Sequence, residues 1–496
     1  MPPEIFYSKR KEELAVQLEL LAQKKSRLGW ARFLIMAAMI ACGYFLFNTG
    51  WMYLFPLFLL LIIFVRLVYF DIENKNRIAH TSLLLQINRD ELTALEGNYH
   101  HFEDGALYAP HDHLYANDID LFGRASLFQF MNRTTSEMGS ATLAGWMLHP
   151  DKEALIIQKQ EAVKELSAIT WWRQELQAFG KEKKIGLPTK ERLIRWIGEK
   201  SAFENGYWKI LQYLLPVTML TVVFLNIADL ASDPVRNYFL LASAVIAFFI
   251  SKKVIPVHYQ VSKMAGELSV LSDSIHLIEK TNFQSGLMKQ LQAAYTMQKS
   301  AASAELKQLK NILERLDYRL NPVIFIPLAI LLQWDLQQVR ALEKWKKRNQ
   351  QNIASWFDAL GKLEALCSMA TLHFNHPEWC FPELKQSHFF ISGTEVGHPL
   401  INKNKRVNNP ITINESGELM LITGSNMAGK STYLRSIAIN VVLTMMGSVT
   451  CAKKFSLSPV HLITSMRIAD NLEENTSTFY AELKKLKTVI EKVNNH

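Results

Sequence analysis

Nine consecutive residues near the C-terminal end have the types and spacing to do chemistry: Gly424, Ser425, Asn426, Met427, Ala428, Gly429, Lys430, Ser431 and Thr432. They match Gly-x4-Gly-Lys-Ser, a pattern suited to the phosphates of a nucleotide. Gly424 and Gly429 let the main chain bend close round phosphate oxygens. The amides from Ser425 to Ser431 would point inward, adding to the positive end of a helix dipole. Lys430 would place a point charge between the outer phosphates, Ser431 would ligate Mg2+ through its hydroxyl, and Thr432 would offer a second hydroxyl near the inner phosphate. A lysine at a helix N-terminus has little other use, because the dipole disfavours positive charge there. ATP and Mg2+ are the cofactors these residues point to, and no catalytic residue can be assigned.

Such a loop works only between a strand and a helix. Residues 418–422 (ELMLI) are expected as a short buried strand, and residues 431–447 as the helix that the loop opens. The chain of 496 residues is long enough for several domains, with net charge +9. Its four cysteines, Cys42, Cys367, Cys380 and Cys451, form no CxxC pair, which argues against a disulfide framework and for a reducing compartment.

Long apolar runs set the class. Residues 33–65 carry no charge, with a turn-like Asn48-Thr49-Gly50 between two expected spans, 30–47 and 51–70, and Arg32 and Arg66 free to snorkel outward. A second pair follows at 210–228 and 237–251. Basic residues flank the outer ends of both pairs (Lys9, Arg10, Lys11, Lys24, Lys25, Arg27, Lys75, Arg77, Lys209, Lys252, Lys253). The positive-inside rule then makes this a multi-pass membrane protein whose hairpins both enter from the cytoplasm and whose soluble parts stay there.

The expected order of parts is a cytoplasmic N-terminal helix (1–29), transmembrane hairpin 1 (30–70), a helical core (71–206), transmembrane hairpin 2 (207–252), a helical lever region (253–372) and a P-loop domain (373–496). Within the lever, residues 258–321 read as polar-amphipathic helix. Leu306, Leu309, Ile312, Leu313, Leu316 and Leu320 form one apolar stripe, and the plain reading is a long helix. Pro322 and Pro327 are expected to bend or stop it, with a further helix over 334–357.

Four segments together resemble the MutS family. TGSNMAGKSTYLR (423–435) is similar to its Walker A segment, and RIADNLEENTSTFYAELKKL (467–486) to its signature segment. GHPL (397–400) looks like the opening of its ATPase domain, and TSEMGSATLAGWMLHP (135–150) like the start of its helical core. The resemblance implies a fold of α plus α/β type, with a helical core and lever and a C-terminal ABC-type P-loop ATPase domain. It further implies Asn426 beside the nucleotide, Ser477 reaching the γ-phosphate in trans, and ATP-driven homodimerisation through the ATPase domain. It makes this a DNA mismatch repair family protein with DNA as a candidate partner.

The chain also departs from that family. A charged helix and an apolar hairpin stand where mismatch readers carry a Phe-x-Glu wedge domain, and Phe381-Pro382-Glu383 lies elsewhere in the order. Residues 258–322 leave little room for a DNA clamp, and 405–413 holds no aromatic to stack on adenine. No hydrophobic run ending in Asp-Glu follows Lys430, so the ATPase domain is expected to be truncated, binding ATP without the full hydrolytic set. An ABC-type transporter-like ATPase and a non-hydrolysing ATP-binding membrane scaffold are the alternatives.

Smaller groupings have bland readings beside functional ones. His100, His101, His111, His113, Asp112, Asp118 and Asp120 could hold a metal or form a polar loop. His373, His376 and Cys380 could be part of a zinc set or ordinary core. Arg340, Lys344, Lys346, Lys347 and Arg348, around Trp345, could contact DNA phosphates or form a solvated helix face.

Overall fold

Two very long helices open the chain, α1 (Pro3–Leu46) and α2 (Leu54–Leu95). The computed structural model describes residues 1–46, 54–200, 203, 205–296, 300–385, 389–425, 427–466, 483, 487, 490 and 491. The division expected at residue 29 is no break: with neither proline nor turn signal there, charged and apolar stretches continue as one helix. Antiparallel packing against α2 is tied by Asn74 Nδ2, which donates to Leu21 O at 3.0 Å. Arg32 does not simply snorkel. It lies 3.0 Å from the buried carboxylate of Asp71, which Lys75 also approaches at 3.0 Å. Each helix changes character along its length. The apolar ends stand outside the protein, whereas Tyr7, Leu14, Leu84, Leu85 and Ile87 are buried. Tyr7 Oη donates to Asn375 Oδ1 at 2.8 Å.

The core behind them comprises α3 (Leu127–Met131), α4 (Glu137–Leu148), α5 (Glu153–Ala168), α6 (Thr170–Glu182) and α7 (Leu187–Gly198). Ser136 caps α4 by accepting from Gly139 N at 3.0 Å. These helices surround α15 (Ile353–Asn375), whose residues are buried along most of its length. Close approach of α4 to α15 needs glycine. A Cβ on Gly361 would sit 3.0 Å from the Met138 backbone. Burial raises the pKa of Glu364 on α15, and Thr135 Oγ1, Ser136 N and Ser136 Oγ all donate to its carboxylate at 2.6–3.0 Å. Arg133 Nη2 donates to Glu91 Oε2 at 3.1 Å, fastening α2 to the same core.

The second apolar pair is α8 (Gly206–Ile227) and α9 (Asp233–Ser262). Among the described residues, four helices, α1, α2, α8 and α9, are long and apolar enough to cross a membrane.

The lever region departs from one long helix. It forms α10 (Ala265–Lys280), α11 (Gly286–Thr296) and α12 (Ala302–Leu316). The first break is held open by Glu165, whose carboxylate accepts from Gln284 N at 2.6 Å and Ser285 N at 2.9 Å. The stripe from Leu306 to Leu316 is buried, but Leu320 is 77% exposed because a 3₁₀ turn carries it past the helix end. The helix before Pro322 does stop, at Leu316, with a 3₁₀ turn and an extended Asn321 in between, whereas Pro327 is carried inside the next helix. Pro322 sits in the first turn of α13 (Pro322–Leu332), where its missing N–H costs nothing. After Gln333, at φ 50°, the chain turns by 78° into α14 (Trp334–Asn349), which stops short of the expected residue 357.

A small mixed sheet completes the fold: β1 (Glu383–Leu384), β2 (Ile391–Val396), β3 (Asn409–Ile413) and β4 (Lys454–Leu457), in the order β1-β4-β2-β3. β1 runs parallel to β4; the β2–β3 and β2–β4 pairs are antiparallel. The buried strand expected at 418–422 does not form. These residues make no ladder, and Leu419 and Leu421 are 91% and 83% exposed. An apolar run says that a segment favours burial, not which strand will pair with it, and no strand of the described residues does so.

A candidate nucleotide site at the head of α16

The helix expected after the glycine loop is α16 (Lys430–Met445). Its rear is locked by one buried polar side chain. Asn440 Nδ2 donates to Gly397 O at 3.0 Å and to Ser436 O at 2.7 Å, and Asn440 Oδ1 accepts from Cys451 N at 2.7 Å. Gly397 itself has no room for a Cβ, which would meet Asn408 Oδ1 at 2.3 Å. Gly447, at φ 86°, ends the helix: Ser448 N reaches back to Leu443 O at 2.9 Å.

The head is open. Gly429 forms the N-cap at φ 87°, a conformation costly for any residue with a Cβ. Lys430 Nζ donates to Gly424 O at 2.8 Å and Ser425 O at 2.7 Å. The ammonium is thus held beside the helix mouth, against the dipole, by two carbonyls of its own loop. Ser431 and Thr432 are exposed in the first turn, where free amides collect. A cation with the amides and hydroxyls of the first turn at an exposed helix head is a donor set for a phosphate chain and its Mg2+, so the residues fit both groups. Gly424 meets no protein atom that would exclude a Cβ: the nearest, Ala428 Cβ, would be 3.4 Å away. Met427, at φ 68°, and Ala428 are exposed on the loop. Asn426 and Ser477 lie outside the described residues.

The helical core touches α16 through residues first weighed as metal ligands. Arg435 Nη1 lies 3.4 Å from Asp120 Oδ2, and Thr464 Oγ1 donates to Asp118 Oδ2 at 2.6 Å. Between them, burial, and then the neighbouring Arg435, push His398 down to about 4. No group of three candidate metal ligands occurs among the described residues. His113 accepts at Nδ1 from the amides of Tyr115 and Ala116, with Nε2 3.2 Å from Leu148 O. This is the polar-loop reading.

The zinc reading gains nothing. His373 packs edge-on against Phe381 at 4.7 Å, and His376 stacks on Trp379 at 4.2 Å, with burial pushing it down to about 4. Cys380 Sγ lies 3.3 Å from Thr450 Oγ1. Phe381-Pro382-Glu383 is also structural, with Pro382 O accepting from Gln160 Nε2 at 2.9 Å.

The basic run on α14 is neither a free DNA face nor a fully solvated one. Arg340 and Lys346 are buried and donate to Phe203 O at 2.8 Å and Glu199 O at 2.9 Å, and Trp345 donates to Glu305 O at 2.7 Å. Arg348 pairs with Glu305 at 3.1 Å, while Lys344 and Lys347 are exposed.

Sequence reasoning missed Asn440 and Arg435. An asparagine inside the apolar run IAINVVL was the available signal for the first, since a mid-helix asparagine among aliphatics needs partners.

Comparison with known proteins places this site in a family. The model of MutS domain V matches residues 420–496. The DNA mismatch repair protein MutS of Natronomonas pharaonis is 31% identical over 137 residues, 27% of this chain and 16% of that protein. The MutS proteins of Desulfosudis oleivorans (33% over 139 residues, 26% and 15%) and Haloquadratum walsbyi (34% over 137 residues, 27% and 14%) are similar to the same extent. The chain thus spans about a sixth of the length of the curated relatives it matches. Loop, helix and aligned length agree: residues 420–496 of the chain match MutS domain V.

Proposed function

We propose that the chain is a membrane-anchored nucleotide switch, in which ATP and Mg2+ bind at the head of α16 and bias the position of the helical core. The observation that carries this reading is Lys430, held beside the helix mouth by Gly424 O and Ser425 O. Lys430, the loop amides and Thr432 would hold the phosphate chain, and Ser431 the metal. The bound nucleotide supplies a cluster of negative charge that the loop lacks. Asn440 fixes the rear of α16, so a change at the head is passed on as a movement of the whole helix. Arg435 and Asp120 carry it to the loop at 111–125, and from there to the core that α2 enters. The apolar ends of α1 and α2, with α8 and α9, hold the assembly at a bilayer. Homodimerisation through the nucleotide domain, with Ser477 completing the partner's site, and DNA as a further partner belong to the same reading. The proposal concerns binding and assigns no residue to hydrolysis.

Light scattering of the full chain in nanodiscs or mild detergent, with a non-hydrolysable ATP analogue and Mg2+, tests the switch. A shift from one copy to two on adding nucleotide, absent when Mg2+ is chelated, is expected. A mass that does not respond to nucleotide overturns the dimer switch. Carbonate extraction of expressing cells tests the anchor: the chain should stay in the membrane pellet, and full release would remove the bilayer from the account.

A further inference from the structure

Helix α13 was expected only as a break in the chain. It is eleven residues of PVIFIPLAILL without a charge, and it touches both α8 and α9. Val323, Ile324 and Ile326 are all strongly exposed. At about 100° per residue these three point in different directions, so the helix is apolar all round rather than amphipathic.

Its ends are tied to α9 at two heights. His258 and Asp317, just before α13, lie 2.7 Å apart. At the far end Ser243 Oγ donates to Ile330 O, and Gln333 Nε2 donates to Ser243 O at 3.1 Å and Ser243 Oγ at 2.8 Å. Residue 258 lies beyond Lys252 and Lys253, whereas Ser243 is in the middle of the uncharged stretch 237–251. The chain then turns at Gln333, and α14 heads back to the start of α8, where Gln337 reaches Gln212 O and Arg340 reaches Phe203 O. Entry and exit are on one side.

We infer that α13 is a re-entrant membrane element, a half-span that dips into the lipid beside α8 and α9 and returns to the side it came from. This rests on the membrane-anchor reading above. Eleven residues make a helix of about 16 Å, roughly half of a hydrocarbon core of about 30 Å. Lipid tolerates a helix end only where its orphan backbone groups have partners. Several have partners here: Asn321 Oδ1 accepts from Val323 N at 3.1 Å, Asn321 O accepts from Ile324 N and Phe325 N, and Ser243 Oγ donates to Ile330 O. The polar groups beside the helix ends are paired as well: Tyr318 stacks on Trp334 with ring centres 5.8 Å apart, and Arg319 pairs with Asp335 at 2.7 Å. The second anchor is therefore three apolar helices rather than two.

Photocrosslinking in phosphatidylcholine vesicles containing the full chain tests this. Benzoylphenylalanine would replace Val323, Ile326 or, as reference, the exposed Phe248 on α9, and lipid adducts would be measured by mass after illumination. Adducts at 323 and 326 within about threefold of those at 248 are expected. Adducts at 248 with at least tenfold fewer at both α13 positions would overturn the inference and leave the anchor standing. Absence of lipid adducts at all three positions would overturn the anchor, and the inference with it.

Discussion

The rear and the head of α16 belong to one helix but obey different rules. From Ala438 to Met445 every residue is buried, and the polar ones, Asn440 and Thr444, donate to backbone carbonyls. At the head, Ser431 and Thr432 face solvent, and the segment leading in exposes Leu419 and Leu421. A protein interior packs like an organic crystal, so the rear can respond to little except as a rigid piece. Among the described residues, the cation at the head is taken up by two carbonyls of its own loop. The difference separates what holds the helix from what the helix is for.

Several changes would break or sharpen that contrast. The largest effect is expected at the rear. Asn440→Ala strands the buried carbonyl of Gly397 and the amide of Cys451, at about 1–3 kcal/mol for each orphan group. Thermal or denaturant unfolding should show a loss of about 3–5 kcal/mol.

Acid should act next, at the boundary between head and core. His398 takes up its proton near 4 when folded, against an ordinary value of 6.5. Between those limits the unfolded chain binds more protons, so stability falls as pH drops from 6.5 towards 4, and this histidine's whole contribution is gone below about 4. The size is about 3 kcal/mol, at 1.36 kcal/mol per unit. His376, also near 4, adds a parallel slope, so His398→Gln should flatten the pH dependence of melting without abolishing it.

The smallest effect on stability is expected in front of the helix. Leu421→Gln removes an exposed apolar side chain, and its effect should be within about 0.5 kcal/mol. A cost of 2 kcal/mol or more would mean that the segment is buried as the sequence reading expected.

The legible parts were those with local causes. Charge-free runs read as long apolar helices, and a lysine after two spaced glycines marked the start of α16 at Lys430. The polar loop at 111–125 was open between two readings, because side-chain type does not tell whether Asp120 faces a metal or Arg435. Parts that depend on distant partners were misread. The strand at 418–422 needs neighbours that an apolar pattern cannot name. The basic run on α14 looked like a surface because its partners, Phe203 O, Glu199 O and Glu305, are far away in sequence. Of the two prolines expected to break the helix, Pro322 does follow a helix end and opens α13, whereas Pro327 is carried inside an apolar helix packed on α8 and α9.

The central claim is that the loop from Gly424 to Thr432 grips the phosphates of ATP. Titrating the full chain with a fluorescent ATP analogue, with and without Mg2+, beside a Lys430→Ala variant tests it most directly. Among the described residues Lys430 bonds to two carbonyls of its own loop, so the variant should melt at the parent temperature. The account predicts Mg2+-dependent binding that falls by about a hundredfold or more in the variant, the loss of a charge-assisted contact worth about 3 kcal/mol. Equal affinity in the two proteins, or no Mg2+-dependent binding by the parent chain, would contradict it.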